Sequence, residues 1–264
     1  MLGELLSMHP DVAYWLEPKY IWRFGNPGAK HDVRSKEEAT GSVKNFIRKS
    51  FYSFMYTKGK ARFAEKTPSN VFRIEFIKEV FPEALFIHLI RDGRDVVLSA
   101  EKKWTSRPDR TALVRRLRRM EIPLAECPYY GFSFLRDVFG RIVMPSKGFI
   151  WGPQFPGIHK YRSENSVLRS CARQWVESVE ACQQAFGSMA KEGVYELRYE
   201  TFLEAPEAEM RSLLKFLGLS EDCVSDMFAD FRSKAPKERS TDELAKLDSV
   251  SDLITDKLRQ LGYS

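Results

Sequence analysis

The sequence predicts an α/β protein of three layers, with a central parallel sheet and helices on both faces. Two observations support this class. Short apolar runs of strand length alternate with amphipathic helical segments along most of the chain. The run "EALFIHLI" (83–90) is apolar after Glu83 except for one histidine, which is typical of a parallel strand buried on both faces.

Length and composition favour one large domain over residues 1–264. The chain has 264 residues, of which 43% are hydrophobic and 13% aromatic, so it can bury a full core. Its formal charge of +6 favours an anionic partner. That charge does not choose between a nucleotide, a nucleic acid, a sulfated sugar and a membrane surface.

Cysteine and histidine usage argues against a disulfide or metal scaffold. The four cysteines show no CxxC spacing, which favours a reducing compartment and a cytoplasmic location. The four histidines are scattered, so we expect no metal site, and His88 inside an apolar run is expected to be a core residue. No stretch approaches the ~20 apolar residues of a membrane span, and the opening lacks the basic segment of a signal peptide.

The first half of the chain is predicted to alternate helix and strand. Apolar residues at helical spacing indicate helices at 2–8 and 36–57, and the strands "VAYWLEP" (12–18) and "KARFAEK" (60–66) follow them in turn. A further helix carries residues 71–77. Thr67 or Ser69 is expected to cap it, with Pro68 in its first turn.

The second half contains the predicted strand 83–90, a helix near 166–186, the strand "GVYELRYE" and a helix that opens at Pro206 and closes at Gly218. Residues from about 105 to 165 break the pattern with proline, glycine, aromatic residues and an arginine-rich piece. We interpret this middle section as an insertion that contacts the substrate, because insertions on such folds often carry specificity.

The segment "RDGRDVVLS" (91–99) joins the apolar strand to a helix. Asp92 stands at the expected N-cap and Asp95 three residues later, which predicts a capping box. Arg91 and Ser99 can then face an anion at the carboxyl end of the strand, where the first-turn amides also converge. The alternative is that Arg91 and Arg94 pair with neighbouring acids on a solvated turn.

This segment resembles the 3′-phosphate-binding segment of sulfotransferases that use 3′-phosphoadenylyl sulfate, in which such an arginine and serine hold the 3′-phosphate. Three other stretches are similar to the same family in the same order. "SMHPDVAYWLEP" places Glu17 at the position of the catalytic base, and "AEKTPSN" places Lys66 where a lysine reaches the transferring group. "ELRYETFLEAPEAEMRSLLKFLGL" places Tyr199 against the nucleotide.

The resemblance implies a P-loop-like fold and transfer of a sulfuryl group to a hydroxyl or amine of a carbohydrate or small-molecule acceptor. It implies that Glu17 and Lys66 are catalytic and that Arg91, Ser99 and Tyr199 bind the nucleotide, with 3′-phosphoadenylyl sulfate as co-substrate. No metal, no nucleic acid partner and no membrane span are expected. Each residue also has an ordinary alternative: a solvated surface charge for Glu17 and Lys66, and helix packing for Tyr199.

The sequence departs from the family in one respect. Members carry a strand and a PRSGT-type loop that cradles the phosphosulfate, and residues 1–264 contain no such loop. We therefore expect a native start upstream of Met1 and little transfer by the chain as given. The alternative is a non-catalytic relative that binds polyanions through the arginines of 107–119. A nucleotide kinase is disfavoured because no GxxxxGK[ST] motif is present.

Overall fold

A computed structural model of the chain describes residues 1–106, 150–229, 231 and 238–263. Four strands lie in this part of the chain: β1 (Val12–Leu16), β2 (Arg62–Lys66), β3 (Phe86–Ile90) and β4 (Val194–Arg198). The helices before the insertion are α1 (Leu2–Ser7), α2 (Lys19–Trp22), α3 (Gly41–Thr57), α4 (Ile74–Val80) and α5 (Gly93–Thr105). Those after it are α6 (Ile158–Glu164), α7 (Val167–Gly187), α8 (Tyr199–Glu204), α9 (Pro206–Leu217), α10 (Val224–Phe228), α11 (Thr241–Asp248) and α12 (Ser251–Gln260).

The described strands are all parallel and form two pairs. β1 lies beside β2 with Leu16 opposite Lys66, and β3 lies beside β4 with Ile90 opposite Arg198. In each pair both strands end at the same level, so the residues that follow them lie close together. The predicted α/β class with parallel strands is confirmed, and the described strands form two separate pairs instead of one continuous sheet.

Helices cover these strand pairs with three large apolar clusters. Around β1 and β2, aromatic residues from α2 and α3 pack on Trp15, whose ring stacks on Phe54 at 4.3 Å between centroids. Around β4, α1 packs with α8, α9 and α10, and Phe202 is fully buried there. The third cluster joins α5, α7, α11 and α12. Long-range packing of this kind is what stabilises such short helices.

Two predicted helices differ from the structure. The segment 36–57 is divided into a 3₁₀ turn at Lys36–Glu38 and α3, which begins only at Gly41. The segment after Pro68 is a 3₁₀ turn at Pro68–Phe72 followed by α4, and neither Thr67 nor Ser69 caps it through its side chain.

The second break has a clear physical cause at Arg73. Its buried guanidinium donates to the Ser69 hydroxyl at 2.7 Å and to the Asp32 carboxylate at 3.2 Å. Asp32 also accepts from the backbone N–H of Gln154 at 2.8 Å. A buried arginine must be paired in this way, and these tertiary bonds override the local helical pattern.

Strand β3 is less buried than its sequence predicts. Leu89 is 43% exposed and, of the five β3 residues, only Ile90 is buried. The reason is that β3 borders an open cleft between the two strand pairs.

The helix predictions at 166–186 and from Pro206 to Gly218 are confirmed by α7 and α9, and Gly218 ends α9 in the left-handed conformation. In the described part of the chain, no helix is long and apolar enough to span a bilayer.

Candidate active site

A cleft of about 990 Å³ lies between the two strand pairs. Residues of β2 line one side and residues of β3 the other, while α1 and α7 also contribute to the lining. Among the lining residues are Lys66, Arg91 and Tyr199, three of the five residues predicted for the site. The carboxyl ends of parallel strands are the usual place for a ligand in an open α/β fold, and all three residues lie at those ends.

Glu17 and Lys66 meet where the first strand pair ends. The Glu17 carboxylate lies 3.6 Å from the Lys66 ammonium and 3.2 Å from that of Lys19. The carboxylate is largely shielded, with 13% of the side chain exposed, whereas Lys66 is 58% exposed. The pairing follows from the register of β1 and β2, which sets Leu16 opposite Lys66.

The backbone at Glu17 is strained. Its φ of 50° makes it the only non-glycine residue with positive φ in the described part of the chain. Such a conformation costs on the order of 1 to 3 kcal/mol and persists only when the surroundings hold it. Residues held in this way cluster at functional sites, which makes Glu17 a candidate for a functional residue.

Glu65 is an acidic residue of the cleft that sequence reasoning missed. Its carboxylate accepts hydrogen bonds from the Thr67 hydroxyl at 2.8 Å and from the Asn70 amide. Burial raises the pKa of Glu65 to about 7, and these two hydrogen bonds and the Arg73 charge oppose that rise only in part. Nearby, burial and the charges of Glu65 and Glu17 raise the pKa of Tyr14 to about 12. The signal in the sequence was a charged residue inside a predicted strand.

The start of α5 is capped by Asp92. Its carboxylate accepts from the Arg94 backbone N–H at 2.9 Å, as the sequence predicts for an N-cap. The predicted capping box with Asp95 is wrong. The backbone N–H of Asp92 donates to Glu200 at 3.0 Å, because α8 brings that carboxylate against the turn.

Arg91 follows β3 and lies against Tyr199, which follows β4. The Arg91 guanidinium is 4.5 Å from the centre of the Tyr199 ring, within cation–π distance. One guanidinium nitrogen lies 3.4 Å from the Asp95 carboxylate, and its buried Nε has no hydrogen-bond partner among the described residues. Arg91 therefore retains donors for a ligand anion.

Arg239 is a second functional candidate that the sequence did not reveal. It donates to the Asp92 carboxylate at 2.8 Å and to Asp95 at 2.9 and 3.1 Å. Burial alone would raise the pKa of Asp92, but the hydrogen bonds and charge of Arg94, with the charge of Arg239, hold it below its usual value. Since 144 residues separate Arg239 from Asp95, only the fold could bring them together.

The remaining candidates are placed differently. Ser99 lies on an exposed position of α5 and is not among the residues that line the cleft.

His88 faces Glu196 across β3 and β4, with 3.6 Å between its Nδ1 and the carboxylate, and burial lowers its pKa. The basic segment 107–119 and most of the predicted insertion lie outside the described residues. No cluster of metal-ligating side chains is found in the part of the chain that the structure describes.

Comparison with known proteins identifies the family of this chain. The chain matches the model of the sulfotransferase family over residues 2–132 and 134–222, well over half of its length. The chain belongs to the sulfotransferase family and is an enzyme of that class. No curated protein gives a significant match.

Two solved structures are similar to this chain. A sulfotransferase from Alicyclobacillus acidocaldarius is 17% identical, with 100% of this chain and 92% of that chain covered and a TM-score of 0.45. The sulfotransferase domain from the curacin biosynthetic pathway is 10% identical, with coverages of 95% and 92% and the same TM-score of 0.45.

Proposed function

We propose that this sulfotransferase moves a sulfuryl group from 3′-phosphoadenylyl sulfate to a hydroxyl or amine of a carbohydrate or small-molecule acceptor. The observation that carries the proposal is the meeting of Glu17 and Lys66, 3.6 Å apart, at the ends of β1 and β2, beside a cleft that also contains Arg91 and Tyr199. A shielded base, a cation and a nucleotide-sized cleft at parallel strand ends suit transfer of an anionic group.

In the proposed reaction the acceptor oxygen or nitrogen forms a bond to sulfur while the bond between sulfur and the phosphate oxygen breaks. The leaving product is adenosine 3′,5′-bisphosphate. Glu17 takes the proton that the acceptor loses, and Lys66 stabilises charge on the transferring group and on the leaving phosphate. The ion pair with Lys66 also helps to hold the Glu17 carboxylate in position.

Arg91, Tyr199 and Ser99 form the proposed nucleotide site. Arg91 would bind the 3′-phosphate through its charge-assisted donors, and the Tyr199 ring holds its guanidinium plane in place. Ser99 is included in the nucleotide site because residues 91–99 resemble the family's 3′-phosphate-binding segment. Its exposed position on α5 leaves its hydroxyl accessible.

The test is a transfer assay with sulfur-labelled 3′-phosphoadenylyl sulfate and a panel of sugars, phenols, alcohols and amines. Lys66→Met should reduce transfer by ~10² or more, the usual scale for lost stabilisation of developing charge. Lys103→Met is the matched control, since Lys103 is exposed on α5 and does not line the cleft. Equal transfer above background by the two variants, or label transferred equally well from adenylyl sulfate, would refute the proposed donor site.

A further inference from the structure

Arg239 ties the start of α5 to the segment that precedes α11. Its guanidinium donates to Asp92 at 2.8 Å and makes two bonds to Asp95, at 2.9 and 3.1 Å. The side chain is 24% exposed, so these contacts are partly shielded from water. A planar guanidinium that bridges two carboxylates is a geometrically specific contact, and lysine cannot reproduce it.

The bridge decides how the charges at this helix start are distributed. Asp92 is shared by Arg94 and Arg239, and one oxygen of Asp95 is taken by Arg239. Glu200, the third carboxylate here, accepts from the Asp92 backbone N–H and from the Tyr263 hydroxyl at 2.8 Å. Arg94 and Arg239 thus pair with Asp92 and Asp95, while Glu200 accepts from two uncharged donors, and Arg91 keeps only its long contact with Asp95.

The contact between Arg91 and Asp95 is correspondingly weak. At 3.4 Å it is longer than a normal charge-assisted hydrogen bond, and it uses the Asp95 oxygen that Arg239 leaves. If Arg239 were removed, Arg91 would be the cation that remains in contact with Asp95. A full ion pair between them would occupy the guanidinium and place a negative charge beside any bound phosphate.

We propose that Arg239 is a positioning residue of the nucleotide site: it holds Asp95 so that Arg91 stays available to the 3′-phosphate of the donor. This inference rests on the proposed function, because it requires Arg91 to meet that phosphate. Arg239 itself does not line the cleft and acts through Asp95.

The test is a double-mutant cycle between Arg239 and Asp95, read as nucleotide binding by isothermal titration calorimetry. Arg239→Ala should weaken adenosine 3′,5′-bisphosphate about tenfold, the scale of one partly exposed charge-assisted contact, and should change adenosine 5′-phosphate by less than about twofold. Adding Asp95→Asn should restore binding of the bisphosphate to within about threefold, because the competitor for Arg91 has lost its charge. A merely structural role for Arg239 would not be rescued by this second change.

Controls separate the possible failures. Arg169→Ala removes a surface ion pair, between α7 and Asp252 of α12, that lies outside the cleft, so it should leave both nucleotides unaffected. If Arg91→Ala has no effect on the bisphosphate, the proposed function is wrong. If Arg91→Ala weakens it and Arg239→Ala does not, or if Asp95→Asn gives no rescue, only the role of Arg239 is overturned.

A second variant keeps the test valid if Arg239→Ala does not fold in a melting experiment. Arg239→Lys retains the charge but can make fewer of the three bonds, so it should weaken the bisphosphate about threefold. Adding Asp95→Asn to Arg239→Lys should restore the affinity for the bisphosphate. Unchanged binding by a folded Arg239→Lys protein, together with no gain of affinity in Asp95→Asn alone, would overturn the proposal.

Discussion

The Glu17 carboxylate lies 3.6 Å from the Lys66 ammonium, and the parallel pairing of β1 and β2 sets that distance. The carboxylate is shielded and its backbone is held at a φ of 50°. A general base must be positioned and shielded from bulk water, and this environment provides both conditions. The lysine is more exposed, so it can move toward a ligand while Glu17 stays in place.

In a form of the protein that transfers sulfate, Glu17→Gln should reduce turnover by ~10² or more and leave nucleotide affinity nearly unchanged, since an amide keeps the shape but cannot accept the acceptor's proton. Steady-state rates and calorimetry on the same preparation measure the two effects. Glu75→Gln, at an exposed position of α4, is the control and should behave as the unmodified protein. Near-normal turnover in Glu17→Gln would remove Glu17 from the mechanism.

Arg91→Ala should weaken binding of the 3′-phosphorylated nucleotide by ~1.5 to 3 kcal/mol, the range of a charge-assisted hydrogen bond. The binding free energy of the analogue without the 3′-phosphate should fall much less, because Tyr199 and the rest of the cleft are unchanged. Titration calorimetry with both nucleotides makes the comparison. Equal losses for the two would show that Arg91 does not recognise that phosphate.

Much of this site could be predicted from sequence because its parts are local. Strand ends and the N-cap at Asp92 are determined within a few positions, and the resemblance to family motifs indicates Lys66, Arg91 and Tyr199, which all lie in one cleft. Glu17 was placed at the end of its strand for the same reason. Its positive φ had no signal in the sequence, because strain depends on what surrounds a residue.

Several of the features that were missed depend on distant contacts. The predicted helix is interrupted at Arg73, which donates to Asp32, 41 residues away. Arg239 donates to the carboxylate of Asp95, from which it is 144 residues distant in sequence. The capping-box prediction is wrong for the same reason, because the backbone N–H of Asp92 donates to the distant residue Glu200 and not to Asp95. The role of Ser99 and the insertion at about 105–165 stay predictions.

Gly93→Ala should destabilise the protein by ~1 to 3 kcal/mol, the usual cost of overpacking a well-packed site. A Cβ at Gly93 would lie 2.4 Å from the Trp175 indole of α7, so the start of α5 would have to move away from that helix. Gly41→Ala is a matched control, since Gly41 also begins a helix but has nothing within 4 Å of the added carbon. Denaturant melts should show a loss only for Gly93→Ala, and equal midpoints for the two variants would contradict this packing argument.

Glu65 should make stability depend on pH. Its pKa is about 7 in the folded protein against an ordinary value of 4.5, so the folded state binds the proton more tightly than the unfolded state does. The free energy of unfolding should therefore fall as pH rises from about 4.5 to about 7, and then level off. Glu65→Gln should flatten this part of the profile in urea melts, whereas Glu75→Gln should keep it. A slope that is unchanged in Glu65→Gln would assign the effect to another group.

A β-strand supplied to the cleft should stabilise the protein. β2 and β3 border the cleft from opposite sides, and neither pairs there with a third strand in the part of the chain that the structure describes. A parallel strand between them could hydrogen-bond along both of its edges, and each buried backbone group so paired avoids a cost of ~1 to 3 kcal/mol. A glycine-rich turn after that strand would place amide N–H groups near Lys66, where an anion could bind.

The variant to make is a fusion ahead of Met1, which itself lines the cleft, of roughly 15 to 25 residues that encode one apolar strand and a glycine-rich turn. A glycine–serine extension of equal length is the control, because it is a flexible coil with little tendency to form a strand. The strand fusion should melt at a higher temperature than the control and transfer more labelled sulfate. If both fusions melt at the same temperature and transfer at the same rate, the cleft does not accept a strand.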